Sequence, residues 1–317
     1  MGKAAFIFPG QGAQYVGMGK DFYERFSVSR EVFDEADESL NMGLSSLCFE
    51  GDEDELKKTE NTQPAILTTS IAILRAVEKM GIDCDYTAGL SLGEYSSLVK
   101  AESISFSDAV KVVKKRGKYM QEAVPEGKGG MAAILGLDKE GVLKAIEESR
   151  QYGVVEVANY NSPEQIVISG EIRPLNVACD KAKKLGAKKA VILRVSAPFH
   201  CKLLEPAGEK LKDELKNIDI FPLKKEVIAN VDAKPVKRES IIPNLIKQVS
   251  SPVLWTDTIS FMLKEGTDTF VEMGPGKSLT GFVKRIAKYE NVEVNAYNVS
   301  NIEEYNELCD FFNKRRY

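Results

Sequence analysis

Gly89-Leu90-Ser91-Leu92-Gly93 has the G-x-S-x-G spacing of a nucleophile elbow. Tyr86-Thr87-Ala88-Gly89 reads as the end of a short strand, and residues 92–99 read as a helix. A strand that turns sharply into a helix lifts one serine hydroxyl clear of a sheet, and glycines on either side give the turn steric room. In a chain with 24 glycines the bare pattern also arises by chance, so the strand-to-helix setting is what makes Ser91 the candidate nucleophile.

A serine needs a base to take its proton. The chain has one histidine, His200, so an imidazole base within the chain has to be that residue. A lone histidine is ordinarily a surface or satisfied core residue. Here, however, a strand over residues 190–195 leads into Ser196-Ala197-Pro198-Phe199-His200, and the loops after strands are where α/β folds place their chemistry.

The composition bounds the rest. A length of 317 residues allows one or two domains, and 43% hydrophobic with 28% charged residues is ordinary for a globular protein. A net charge of −4 gives no electrostatic case for nucleic acid or an anionic membrane as a partner. No apolar run is long enough to span a bilayer. The first apolar run breaks at Pro9-Gly10, too short for a secretory leader, and Phe6 stands where an N-myristoyl signal wants serine or threonine. Five scattered cysteines, no C-x-x-C and a single histidine speak against a zinc site and for a reducing cytoplasm.

Residues 3–8 read as a buried first strand feeding Pro9-Gly10-Gln11-Gly12-Ala13-Gln14. This loop is neither a dinucleotide fingerprint nor a P-loop. It is a tight turn, or a set of N–H groups facing an oxyanion. Residues 19–47 read as amphipathic helix and 50–60 as an acidic, solvated connection. A helix then starts at Thr62, with Pro64 in its first turn, and ends at Gly81.

The helix from Phe106 to about residue 121 carries a second clue. Phe106, Ala109, Val110, Val112, Val113, Gly117 and Met120 share one face, and Lys111, Lys114, Lys115 and Lys118 the other. Arg116 falls with the apolar face, and a guanidinium turned inward needs an anionic partner. That partner is either a core carboxylate or the carboxylate of a substrate gripped in bidentate geometry. After a loop at residues 126–130, the order β-α-β-β-α-β up to residue 195 is that of a ferredoxin-like unit. It reads as a small subdomain, residues 128–196, inserted in a large one made of 1–127 and 197–317. The C-terminal helix ends in Lys314-Arg315-Arg316, which suits its dipole.

Taken together, the motifs Phe8-Pro9-Gly10-Gln11-Gly12-Ala13-Gln14, Asn61-Thr62-Gln63-Pro64-Ala65, Gly89 to Tyr95, Arg116, Asn159-Tyr160-Asn161-Ser162-Pro163-Glu164-Gln165, Ala197-Pro198-Phe199-His200, Asn230-Val231-Asp232-Ala233, Gln248 and Glu272-Met273-Gly274-Pro275-Gly276 run nearly the whole length. In them the chain resembles the malonyl-CoA:acyl-carrier-protein transacylase family of bacterial fatty acid synthesis and the acyltransferase domains of polyketide synthases. The resemblance implies an α/β fold, an α/β-hydrolase-like large subdomain with an inserted ferredoxin-like small one. It implies that Ser91 is acylated by malonyl-CoA, and that His200 takes its proton and later activates the phosphopantetheine thiol of acyl carrier protein. The N–H groups of Gln11 and Leu92 are implied as the oxyanion hole, and Arg116 as the ligand of the malonyl carboxylate. Gln63, Phe199 and Asn159 are implied on the substrate side, and a main-chain carbonyl near Gln248 as the group that orients His200. Phe199 matches the malonyl-type pattern, where methylmalonyl-type domains tend to carry serine. Coenzyme A and phosphopantetheine enter as parts of the substrates, and no metal or resident cofactor is implied. One departure is Leu90, where most relatives have histidine.

Three competing readings stay open. A thioesterase or other serine hydrolase would use the same serine and histidine, although a simple esterase has no use for Arg116. A stand-alone acyltransferase could serve a polyketide pathway, and a scaffold protein would have lost catalysis.

Overall fold

The computed structural model describes residues 2–125 and 127–315. The first residue of the expected 126–130 loop and Arg316 of the basic C-terminal end lie outside them, as do residues 1 and 317. Among the described residues there are nine strands: β1 (Lys3–Phe8), β2 (Tyr86–Gly89), β3 (Gly129–Leu135), β4 (Val155–Ser162), β5 (Gln165–Glu171), β6 (Lys189–Ile192), β7 (Glu226–Ile228), β8 (Thr267–Met273) and β9 (Asn295–Val299). They form two sheets. The first has the order β7-β2-β1-β8-β9 with every neighbouring pair parallel. The second has the order β4-β5-β3-β6 and is antiparallel throughout. With a helix between β3 and β4 and another between β5 and β6, that second order is the ferredoxin-like one.

Both faces of the parallel sheet are covered, as parallel sheets require. On β1 the side chains alternate: Phe6 and Phe8 pack into one apolar cluster, Ala5 and Ile7 into another. The first cluster is supplied by the helices Thr59–Lys79, Gly93–Lys100 and Phe106–Ala123, the second by Trp255–Lys264 and Ser278–Tyr289. The small sheet alternates in the same way. Ala132 and Ile134 of β3 face its own two helices, while Met131 and Ala133 join the large cluster. One face of the small sheet is thereby packed onto the large unit, over the end where Ser91 lies.

The sequence reading needs correction in several places. Residues 19–47 are not one helix but Lys20–Arg25, Ser27–Leu40 and the start of Leu44–Glu50. The acidic connection contains a short helix, Glu53–Lys57, capped by Asp52, whose side chain accepts from the N–H groups of Asp54 and Glu55. The long helix starts at Thr59, so Pro64 lies inside it. Contacts outside the helix hold its first turn: Asn61 Nδ2 donates to Glu55 O, and Thr62 Oγ1 to Leu56 O. Pro64 then forgoes only one intrahelical bond. Gly129 and Gly130 belong to β3 rather than to the loop before it. The strand expected up to residue 195 stops at Ile192. Leu193 still donates to Met131 O, but Val195 N bonds back to Leu193 O, and this tight turn takes the chain off the sheet edge. Among the described residues no helix is long and apolar enough to cross a membrane.

Candidate active site

β1 and β2 are parallel neighbours with Phe8 beside Gly89, so the loops that follow them leave the same edge of the sheet. One loop carries Gln11, the other Ser91 and Leu92. Ser91 sits at φ 53°, a left-handed conformation that a side chain rarely adopts. The two glycines of the elbow are there for steric reasons. A Cβ on Gly89 would lie 1.9 Å from the backbone carbon of Gly93, and one on Gly93 would lie 2.2 Å from Phe8 O. Leu92 precedes the helix Gly93–Lys100, where backbone N–H groups point out of the helix end.

The strain at Ser91 is held from the neighbouring strand. Ile228 of β7 pairs with Ala88, and Asn230 follows two residues later. Its Oδ1 accepts from Ser91 N at 2.7 Å, and its Nδ2 donates to Gly89 O at 2.7 Å. Leu90 lines the cavity and packs toward the cluster around Trp255.

His200 arrives from the small sheet, also in a left-handed conformation at φ 61°. Its Nε2 is 2.7 Å from Ser91 Oγ, and its Nδ1 is 2.8 Å from the main-chain oxygen of Gln248. A carbonyl oxygen only accepts, so Nδ1 carries the proton and Nε2 presents its lone pair to the serine. His200 is 4% exposed, and burial with the nearby Arg116 charge pulls its pKa down to about 4. The imidazole is therefore neutral at pH 7 and ready to take a proton.

Arg116 is 1% exposed. Nη1 donates to Gln63 Oε1 at 2.8 Å, and Nη2 to Gln248 Oε1 at 3.0 Å and Ser91 Oγ at 3.2 Å. Nε has no partner, and the guanidinium carbon stands 5.7 Å from the centre of the Tyr95 ring. All of its hydrogen-bond partners are neutral, and Glu94 acts on it only at a distance. The core salt bridge that the sequence left open does not form among the described residues. A buried guanidinium with neutral partners, beside a candidate nucleophile, is a site for an incoming carboxylate.

A cavity of about 140 Å³ joins these groups. Gln11, Gln63, Leu92, Arg116, Asn159, Phe199 and His200 all line it with Ser91. Gln63 uses its oxygen to hold Arg116 and its Nε2 to reach Met120 Sδ, so one of its two ends is already committed to the guanidinium. Asn159 enters from β4, and Phe199 is buried against the wall next to His200. Gln248 lies behind the cavity, where its side chain does more than its main chain suggests. Nε2 donates to Ser91 O at 2.9 Å and to Glu94 Oε2 at 2.7 Å, while Oε1 accepts from Arg116.

The sequence reading missed Asn230, Glu94 and Tyr95 as parts of this constellation. Glu94 and Tyr95 directly follow the elbow, and Asn230 closes a strand, but only the fold places them against Ser91 and Arg116.

The chain is similar to known proteins over nearly its whole length. Residues 5–307 match the acyl transferase domain family. The malonyl CoA-acyl carrier protein transacylase of Bacillus subtilis is 50% identical over 288 residues, 90% of this chain and 91% of that protein. The crystal structure of the Clostridium perfringens protein of the same name is 50% identical, covers 99% of this chain and 98% of that chain, and superposes with a TM-score of 0.95. A malonyl-transacylase solved in complex with its type II PKS acyl-carrier protein is 42% identical, covers 95% of this chain and 97% of that chain, and has a TM-score of 0.92.

Proposed function

The chain belongs to the acyl transferase domain family, and we propose that its transfer of malonyl from coenzyme A to acyl carrier protein runs through an ester on Ser91. The activity follows from the family and from the identity to malonyl CoA-acyl carrier protein transacylases over nine-tenths of the chain. The observation that carries the mechanism is the Ser91 Oγ to His200 Nε2 hydrogen bond of 2.7 Å, next to a buried guanidinium.

In the first half-reaction Ser91 Oγ attacks the thioester carbonyl while His200 Nε2 takes its proton. The N–H groups of Gln11 and Leu92 receive the developing oxyanion. The C–S bond breaks, and the imidazolium returns the proton to the departing coenzyme A thiol. In the second half-reaction His200 takes the proton of the phosphopantetheine thiol. The thiolate attacks the Ser91 ester, and Ser91 leaves with the proton from His200.

The carboxylate of a malonyl ester lies two carbons beyond the reacting carbonyl. Arg116 Nη2 already touches Ser91 Oγ, so the guanidinium is placed to pair with it. An acetyl group brings no charge, and the guanidinium keeps only its neutral partners. Phe199 crowds the space beside the ester and disfavours an α-methyl branch, while Gln63 and Asn159 face the acyl group.

These steps call on no resident cofactor, because coenzyme A and phosphopantetheine enter with the substrates. The same reading places the enzyme in fatty acid biosynthesis and in the cytoplasm. Five buried free cysteines are in keeping with a reducing compartment.

The test is intact-protein mass after mixing with malonyl-CoA in the absence of carrier. One malonyl adduct per chain is expected, and none in Ser91→Ala. Coenzyme A released continuously without an adduct would instead make the protein a thioesterase.

A further inference from the structure

Glu94 is a buried carboxylate that none of the steps above uses. It is 2% exposed, on the helix that follows the elbow, and it forms no ion pair among the described residues. Its Oε2 accepts from Asn230 N at 3.1 Å and from Gln248 Nε2 at 2.7 Å. Burial holds its pKa up to about 7, so burial as a carboxylate needs a compensating role.

The role lies in the amide that it touches. A glutamine side chain has two ends of nearly equal shape and opposite polarity. In Gln248 the end that faces Arg116 has to be the oxygen, because a guanidinium only donates. The other end faces oxygens only. Ser91 O and Asn230 Oδ1 accept from Nε2, at 2.9 Å and 3.3 Å. Asn230 Oδ1 is also engaged by Ser91 N, so the acceptor that belongs to Gln248 most directly is the carboxylate. Above pH about 7, where Glu94 is ionised, it has no proton to offer and its oxygen cannot face an amide oxygen. A flipped Gln248 would set oxygen against oxygen at Glu94 and at the main-chain carbonyl of Ser91, and NH2 against the guanidinium at Arg116. Removing Glu94 removes the shortest of these contacts and leaves a buried amide with less to fix its direction.

We propose that Glu94 is a specificity-positioning residue, which fixes the Gln248 amide so that its oxygen holds Arg116 in place for the substrate carboxylate. The proposal rests on the reading of Arg116 as the carboxylate ligand. Glu94 does not touch the substrate. It acts through one side chain on the residue that separates a malonyl group from an uncharged one, so its loss falls on selectivity. A carboxylate that merely supports the fold would move malonyl and acetyl transfer together.

The experiment compares initial rates of Ser91 acylation by malonyl-CoA and by acetyl-CoA at a pH about one unit above the Glu94 pKa of about 7, followed by intact-protein mass. Wild type sets the selectivity ratio, and a preference for malonyl that collapses in Arg116→Ala checks the underlying reading separately. Glu94→Met, which fills the same volume without an acceptor, is expected to lower the malonyl-to-acetyl ratio about tenfold. Glu94→Gln, which still offers an oxygen to both donors, restores most of the ratio. In Gln248→Leu the main-chain carbonyl for His200 stays, and adding Glu94→Met to it is expected to change the ratio no further. Equal losses for both substrates in Glu94→Met, failure of Glu94→Gln to restore the ratio, or an additive loss in the double variant would each overturn the proposal. Should Glu94→Met not fold, the ratio in Glu94→Gln decides alone: a tenfold loss there refutes the orienting role, and a near wild-type ratio supports it.

Discussion

Replacing Arg116 by alanine is expected to separate the two acyl groups, and the structure gives the size of the effect. The guanidinium is fully enclosed, and its neutral partners Gln63 and Gln248 hold it beside Ser91 Oγ. In Arg116→Ala a malonyl carboxylate would enter the same enclosure without a cation. Breaking a buried charge pair by removing one partner costs about 3–5 kcal/mol. At about 1.4 kcal/mol per tenfold, that is roughly two to three and a half powers of ten in malonylation rate. An acetyl group never pairs with Arg116, so acetylation loses only the 3.2 Å hydrogen bond to Ser91 Oγ. Such a bond contributes about 1 kcal/mol, or about a fivefold rate change. The ratio of malonyl to acetyl rates is therefore expected to fall at least about twentyfold by these same magnitudes. Stopped reactions with each thioester, read by intact mass, measure both numbers on one protein preparation. Losses that agree within a factor of about three would show that Arg116 only supports the fold, and would refute the carboxylate pairing.

The acid limb of the acylation rate follows from His200. The base works only when neutral, and burial beside Arg116 has pulled its pKa down to about 4. The rate is thus lost as pH falls through about 4, rather than through the ordinary imidazole range near 6.5. Measuring it in Glu94→Gln leaves His200 as the buried group of the site that titrates below pH 7, and a half-maximal rate near pH 6.5 there would show the imidazole to be solvated. Gly89→Ala is expected to abolish the malonyl adduct and to lower stability by about 1–3 kcal/mol or more in denaturant unfolding, because the new Cβ meets the Gly93 backbone at 1.9 Å. Wild-type acylation in that variant would show that the elbow tolerates what its geometry forbids.

The residues proposed to do the chemistry were legible in the chain because each obeys a local rule. G-x-S-x-G forces the strand-turn-helix that raises Ser91, a single histidine leaves one candidate base, and helical periodicity turns Arg116 inward. The alternation of strands and helices over residues 128–196 also fixes a ferredoxin-like order, which the four-stranded sheet has. Boundaries were less legible wherever tertiary contacts set them. Thr59 starts its helix because Glu55 and Leu56 carbonyls hold the first turn, and the last strand of the small sheet stops at Ile192 because the chain must swing toward His200.

Sequence alone singled out the candidate nucleophile, base and cation, since these depend on residue type and on neighbours within a few positions. Only the tertiary structure decided that Arg116 has no carboxylate partner in the core, that Asn230 pins both sides of the elbow, and that Glu94 faces the Gln248 amide. The contacts of Asn230 and Glu94 join residues 139 to 154 positions apart. The parallel packing of β7, β2 and β1 brings them to one edge, and no local pattern in the chain encodes that distance.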